Sequence, residues 1–215
     1  MRILAVDTAL GGCSVALLEG ARVLAHIFEA MDRGHAERLA PMVDQAMHGS
    51  SFADLTNLAV TTGPGTFTGQ RVGLAFMRGL RIALRRPLTG ITTLEAIATA
   101  AMDETSQTKA AAIHDAHRGE AYLLLKDGEA VVQQPVVLPF GEAVARIRDF
   151  GPCVLAGSGA ATAHETLGFL LSTVRQPDAL WVARLAQEMP IPEAAPGPIY
   201  LRAPDAKLPG GKTLA

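Results

Sequence analysis

Cysteine is scarce: the 215-residue chain has two, Cys13 and Cys153. They lie far apart with no paired spacing, so neither a disulfide framework nor a cysteine zinc site is indicated. Both sit in apolar, strand-like runs, where a thiol is usually buried. Aromatic residues make up only 5%. No run of about 18 apolar residues is available to span a bilayer. Arg2 precedes a short apolar run, but Asp7 interrupts it before a signal-peptide core can form. Charge of one sign is also lacking. Asp and Glu number 21 against 19 Lys and Arg, a formal net charge of −2. That balance gives no global attraction to nucleic acid or to an anionic membrane. A cytoplasmic chain with no membrane partner is the expectation.

What is present is core-forming material. Hydrophobic residues make up 49%, and the length suits one large domain or two small ones. Periodicity predicts strands at about 2–8, 12–18 and 21–28, a helix at about 35–48, a strand at about 56–62 and a helix at about 70–86. A short strand at about 88–91 and a helix at about 94–103 follow. The polar stretch from Asp103 to Lys109 reads as a linker. Beyond it the opening order repeats: strands at about 110–115, 120–126 and 130–138, a helix at about 141–150, a strand at about 153–156, then Gly157-Ser158-Gly159 and another helix. Three strands followed by alternating helix and strand is the ribonuclease-H-like pattern, and its duplication gives an α/β, actin-like fold with mixed sheets flanked by helices. The expected division is a first lobe over 1–105, a smaller one over 106–202 and a flexible tail over 203–215. Four prolines between Pro190 and Pro198 resist regular structure.

The densest motif is Thr61-Thr62-Gly63-Pro64-Gly65-Thr66-Phe67-Thr68-Gly69-Gln70-Arg71-Val72-Gly73, which joins an apolar strand to a long helix. Glycines there permit positive φ or close backbone approach, and a helix N-terminus behind such a turn attracts anions. The block is not a Walker A loop, because Thr68 stands where that motif needs its second glycine and no lysine follows. At the chain start an apolar strand reaches Asp7-Thr8, turns through Gly11-Gly12 and returns; actin-like and sugar-kinase-like folds face phosphate and metal with such a tip. Asp7, Thr8, Gly63, Gly65, Thr66 and Gly69 are therefore the candidates for a degenerate phosphate site. Asp7, Asp115 and Glu120 could form an acidic set at an interlobe cleft, or cap turns and pair with Arg118 or Arg202. His114-x-x-His117 has a ligand-like gap but falls at a strand end. Gly210-Gly211-Lys212-Thr213 mimics the end of a Walker A without its first glycine, and Gly157-Ser158-Gly159 has the wrong spacing for a nucleophile elbow.

Gly34-His35-Ala36-Glu37-Arg38-Leu39, the Gly63–Gly69 block, Gly90-Ile91-Thr92-Thr93-Leu94-Glu95, Asp115-Ala116-His117-Arg118-Gly119-Glu120 and Pro198-Ile199-Tyr200-Leu201-Arg202 occur in this order over nearly the whole chain. Together they resemble the TsaB (YeaZ) family. The resemblance implies a non-catalytic partner in the machinery that makes threonylcarbamoyladenosine in tRNA. Such a chain would form a heterodimer with the TsaD-type transferase and activate it, be joined by a TsaE-type ATPase, and form a homodimer when alone. Tightly bound cofactors are not expected, only weak ATP or ADP at a partner interface. TsaD-like relatives hold a metal with a His-x-x-x-His pair on the first helix; here His35 is followed four residues later by Leu39, so no metal is expected. The alternative is an actin-fold ATP-dependent kinase or metallohydrolase built on the Asp7 hairpin and the Gly63 loop.

The partner surface is expected on two helices. In 70–86, Val72, Ala75, Phe76, Gly79, Leu80, Ala83 and Leu84 form one apolar stripe, enough to dock the helix on its own sheet. Gly73, Leu74 and Met77 lie off that stripe, beside Arg78 and Arg81, and in 35–48 Leu39, Met42, Val43 and Ala46 follow His35. These ten residues are the expected interface, as TsaB-like proteins are similar in using both helices in a four-helix bundle. Packing of the two helices together inside one lobe is the competing reading. The five arginines from Arg71 to Arg86 read as a solvated face, so tRNA contact is expected only through the complex.

Overall fold

The computed structural model describes residues 1–202. The tail expected at 203–215, with Gly210-Gly211-Lys212-Thr213, lies outside the described residues. Strands β1 (Arg2–Asp7), β2 (Gly12–Glu19), β3 (Arg22–Ala30), β4 (Asn57–Thr61) and β5 (Leu88–Ile91) form a sheet in the order β3-β2-β1-β4-β5. The first three are antiparallel, and β1, β4 and β5 run parallel. Strands β6 (Lys109–Asp115), β7 (Glu120–Asp127), β8 (Ala130–Pro139) and β9 (Val154–Ala156) repeat the plan as β8-β7-β6-β9, with β6 and β9 parallel. Two ribonuclease-H-like sheets in one α/β chain make the fold actin-like. Among the described residues no helix is long and apolar enough to cross a membrane.

Among the described residues six α-helices cover the sheets: α1 (His35–Ala46), α2 (Phe67–Leu84), α3 (Thr93–Thr105), α4 (Phe140–Phe150), α5 (Ala160–Leu167) and α6 (Ala179–Glu188). The central strands are apolar without alternation because both of their faces are buried. One face of the first sheet packs Leu4, Val6, Val15 and Val60 against α1 and α2. Its other face packs Ile3, Ala5, Ala16 and Ile91 against Ala179, Val182, Ala183 and Ala186 of α6. In the second sheet, α4 and α5 cover one face, and Leu94, Ile97 and Ala101 of α3 cover the other through Ala110, Ala112 and Val154. Each unit therefore lends a helix to the other. Helix α3 follows the first sheet yet seals the second, and α6 follows the second sheet yet seals the first. A division at 105/106 separates the sheets but not the packing.

Helix α6 has no counterpart among the predicted elements, although its signals are present. The Asp178 carboxylate caps it by accepting the Leu180 N–H at 2.8 Å, and four buried residues follow at i, i+3, i+4 and i+7. Helix α2 begins three residues before the predicted start, with the Thr66 hydroxyl as cap.

The rotation of α2 reverses the sequence expectation. Gly73, Leu74 and Met77, together with Leu39, Met42, Val43 and Ala46 of α1, are buried in the chain's own core and are not a free partner surface. The competing reading, that the two helices pack within one lobe, holds for these seven. The opposite stripe faces outward: Ala75, Gly79 and Ala83 are exposed, and Val72, Phe76, Leu80 and Leu84 are half-buried. Beside them Ile82 is 74% exposed. Both faces of α2 are apolar, so periodicity could not choose between them. Close approach to Thr8 chooses: a Cβ on Gly69 would strike the Thr8 carbonyl oxygen, and one on Gly73 would meet Thr8 Oγ1 at 2.6 Å. Only the glycine side fits there. Met77→Glu is therefore expected to destabilise the isolated chain by ~3 kcal/mol or more, because it buries an unpaired carboxylate. A thermal melt by circular dichroism checks this; an unchanged midpoint would contradict the burial.

Candidate functional site

The β1–β2 tip and the start of α2 bring the expected phosphate residues together, but as a strut. Asp7 ends β1 and is fully buried. Its Oδ1 accepts the Thr61 hydroxyl at 2.6 Å and the Ala9 N–H at 3.2 Å, while its Oδ2 has no partner. Thr8 Oγ1 donates to the Gly69 carbonyl at 2.7 Å and accepts the Gly73 N–H at 3.0 Å. The Thr66 N–H donates to the Ala9 carbonyl at 2.8 Å, the Gly69 N–H to Thr66 Oγ1 at 3.1 Å, and the Gln70 N–H to the Thr66 carbonyl at 3.0 Å. A Cβ on Gly65 would strike the Ala9 carbonyl oxygen. A phosphate loop works through unpaired N–H groups, and those of Thr66, Gly69, Gln70 and Gly73 are committed to the chain itself. Asp7, Thr8, Gly63, Gly65, Thr66 and Gly69 are thus neighbours that serve close packing.

The other predicted groups divide. His35 is buried, with Nε2 paired to the Leu10 carbonyl at 3.2 Å, and Leu39 one turn on is core. Arg78 donates to the Pro196 carbonyl through Nη2 at 2.6 Å, and Arg81 is half-buried on α2. Asp115 accepts the His117 N–H at 2.8 Å, and Glu120 pairs with Arg202, so these two carboxylates cap a turn and hold an ion pair. Asp7 stands apart from them in the core. His114 is buried, accepts the Ser158 N–H on Nδ1 at 3.4 Å, and is pushed down to about 4 by desolvation. His117 sits in the left-handed β6–β7 turn, exposed. Among the described residues no group of three or more His, Cys, Asp or Glu is placed to hold a metal. Cys13 and Cys153 are buried and pushed up to about 12 by desolvation.

Beside the strut lies a cleft of about 530 Å³ between the two sheets, bordered by Pro64–Phe67, Gln70, His114, Ser158, Gln176 and the segment 199–202. That segment spans both lobes. The Ile199 N–H donates to the Thr62 carbonyl at 2.7 Å, and Arg202 Nη1 donates to the Ala116 carbonyl at 2.8 Å. Arg71 lies 3.5 Å over the Phe67 ring and donates to the Tyr200 hydroxyl at 3.0 Å. Sequence neighbours gave no sign of this aromatic contact with the arginine row, because Tyr200 is 129 residues from Arg71. The cleft was invisible for the same reason: Gln176 reaches the Gly11 N–H across 165 residues.

Burial raises the Asp7 carboxyl from its ordinary 3.8 to about 7, against the opposing Thr61 hydrogen bond. Between those values the folded chain holds a proton that the unfolded chain has lost, so this contribution to stability falls as pH rises. The contribution is on the order of 4 kcal/mol across the window. His114 runs the other way below its ordinary 6.5, so the difference between variants is the useful quantity. Asp7→Asn is expected to gain stability relative to the wild type as pH rises from 4 to 7, in chemical denaturation followed at several pH values. A difference that does not change with pH would contradict the assignment.

A family model described as "TsaD: tRNA N6-adenosine threonylcarbamoyltransferase" matches residues 22–155. The tRNA threonylcarbamoyladenosine biosynthesis protein TsaB of Escherichia coli is 42% identical over 124 residues, which is 57% of this chain and 53% of that protein. An uncharacterized protein of Mycobacterium tuberculosis is 32% identical over 214 residues, 95% of this chain and 93% of that one. The solved structure of YeaZ from Pseudomonas aeruginosa superposes with a TM-score of 0.75 at 28% identity, covering 86% of this chain and 90% of that one. The chain spans about half the length of the curated TsaB relatives that it matches. On these likenesses the chain belongs to the TsaB (YeaZ) family, within the wider family that the TsaD model describes.

Proposed function

We propose that the chain is a non-catalytic subunit in the formation of threonylcarbamoyladenosine in tRNA, pairing with a TsaD-type transferase subunit and holding it in its active state. The observation that carries this reading is the outward apolar stripe of α2. Ala75, Gly79 and Ala83 are exposed along one line, with Val72 and Phe76 beside them and Ile82 projecting next to it. Nothing lies within 4 Å of where a Gly79 Cβ would be. Small residues on such a stripe let a second helix approach closely, and a soluble helix with a second apolar face is normally covered by a partner. The same face, brought against its own copy about a two-fold axis, would give the homodimer of the chain alone.

Two further features support the non-catalytic part. The N–H groups of Thr66, Gly69, Gln70 and Gly73 are held by the chain itself. The position one turn after His35 carries Leu39 in the core, so the histidine has no neighbouring imidazole with which to share a metal. These features also weigh against an ATP-dependent kinase or metallohydrolase. In this reading nucleotide is bound weakly, at an interface with the partner; a TsaE-type ATPase joins the assembled pair, and tRNA is reached through the complex in the cytoplasm.

The test mixes the chain with the TsaD-type subunit of the same genome and follows pairing by gel filtration and transfer activity. Ile82→Glu and Ala83→Glu are expected to leave the melting midpoint of the isolated chain unchanged. Each should weaken pairing by ~3 kcal/mol, since a carboxylate must then be desolvated between helices. Transfer activity of the mixture should fall in parallel. Full pairing by both variants would move the partner surface off α2.

A further inference from the structure

From Arg71 to Arg86 the chain places five arginines and no acid, although its formal net charge is −2. Residues seven apart lie on one side of an α-helix, because two turns take about seven residues. Arg71, Arg78 and Arg85 have that spacing, and Arg81 stands one turn before Arg85. They make a row ~21 Å long. Val72 and Gly79 directly follow Arg71 and Arg78, so the row runs along one flank of the outward apolar stripe. Charges in a column beside an apolar seam are the means by which packed helices choose partner and orientation.

The chain does not neutralise this row. Arg2, Arg38, Arg146 and Arg202 each pair with a carboxylate. Arg71, Arg78 and Arg86 instead donate to the Tyr200 hydroxyl, the Pro196 carbonyl and the Ala53 carbonyl, which are all neutral. Arg81 and Arg85 form no ion pair among the described residues. The helix dipole favours a cation near a C-terminus, which accounts for Arg81 and Arg85 but not for Arg71 and Arg78. On the neighbouring helix α1, Glu37 and Asp44 face outward, also seven apart and outside any ion pair among the described residues. The two helices together therefore present five cations against two anions. Two copies brought face to face set this surplus against itself. With α2 on α2 the arginine rows meet; with α2 on α1 of the second copy most of the arginines still lack a carboxylate.

We propose that the arginine row selects the partner: it favours a transferase subunit whose covering helix presents carboxylates at seven-residue spacing, and it disfavours a second copy of this chain. The inference rests on the pairing through α2 set out above. Charges at the rim of a helix seam act mainly on specificity and association rate, and repulsion of the wrong partner discriminates as well as attraction to the right one. A nucleic acid is the other polyanion that an arginine row could meet. A phosphate backbone would leave the apolar stripe beside the row uncovered, whereas an acidic helix covers both.

Salt separates the two kinds of pairing, because screening weakens attraction and repulsion alike. Pairing with the TsaD-type subunit of the same genome and self-association of the chain are each measured by analytical ultracentrifugation. Sodium chloride is raised from about 0.1 to about 1 M, over which the Debye length falls from about 10 to about 3 Å. Heteropairing is expected to weaken about tenfold or more across that range, while self-association is weak at low salt and tightens. The double variant Arg81→Glu/Arg85→Glu should weaken heteropairing about tenfold or more, tighten self-association and keep the melting midpoint of the isolated chain. Arg81→Gln/Arg85→Gln should fall between it and the wild type and flatten both salt slopes. Heteropairing indifferent to salt, self-association that weakens with salt, or full heteropairing by the glutamate variant would each overturn the proposal. Full heteropairing by that variant with loss of tRNA binding by the pair would assign the row to RNA and overturn it too. Ile82→Glu keeps the two proposals apart: if it abolishes pairing while the arginine variants pair fully, the surface on α2 stands and selection by charge falls.

Discussion

The close approach of Thr8 and Ala9 to the start of α2 is the constraint on which the rest depends. Three short hydrogen bonds, from Thr8 Oγ1 to the Gly69 carbonyl, from the Gly73 N–H to Thr8 Oγ1 and from the Thr66 N–H to the Ala9 carbonyl, bind a hairpin tip to a helix N-terminus. The contact is possible only where Gly65 and Gly69 lack a Cβ. It has two consequences. It engages the N–H groups of Thr66 and Gly73 within the chain. It also sets the rotation of α2 about its own axis, which buries Leu74 and Met77 and turns Ala75, Gly79 and Ala83 outward. Close packing of the glycine turn and an apolar outer face on α2 thus follow from one piece of packing.

The exchange of helices between the sheets makes the two halves one body. Helix α3 brings Glu95 to Lys126 on β7 as a buried ion pair at 3.3 Å, and Glu104 accepts from Ser172 and Thr173 ahead of α6. Helix α6 is in turn held at its N-terminus by Asp178, whose carboxylate also meets His26 of β3 at 2.8 Å. The chain beyond α6 then runs back over Gly90, Thr62 and Arg78 to reach the second lobe at Glu120. With so many cross-links the cleft has a fixed outline, and the outer face of α2 is presented on a rigid support.

Much of this was legible in the sequence. The strands stood out because the sheet interiors are unbroken apolar runs bounded by turn residues, and the repeated order of elements disclosed the two-sheet plan. What was not legible has definite causes. Helix α6 carries a cap and a period, but it adjoins the proline-rich stretch, whose breaks mask it. Periodicity does not pick the buried face of α2, since both faces are apolar and only the close approach at Gly69 and Gly73 tells them apart. The same glycines looked like a phosphate loop because close packing and anion binding call for the same residue. The cleft and the contact of Tyr200 with Arg71 and Phe67 join residues far apart in sequence, and no local pattern signals them.

The central claim is that the outward face of α2 is the surface that a transferase partner covers. A single cysteine introduced by Ala83→Cys reports on it directly, because both native thiols are buried. Its labelling rate is measured with the chain dilute and monomeric, and again in the presence of the TsaD-type subunit. The account predicts rapid labelling in the free chain and strong suppression in the mixture. Equal rates in both, with pairing verified in the same sample, would contradict it.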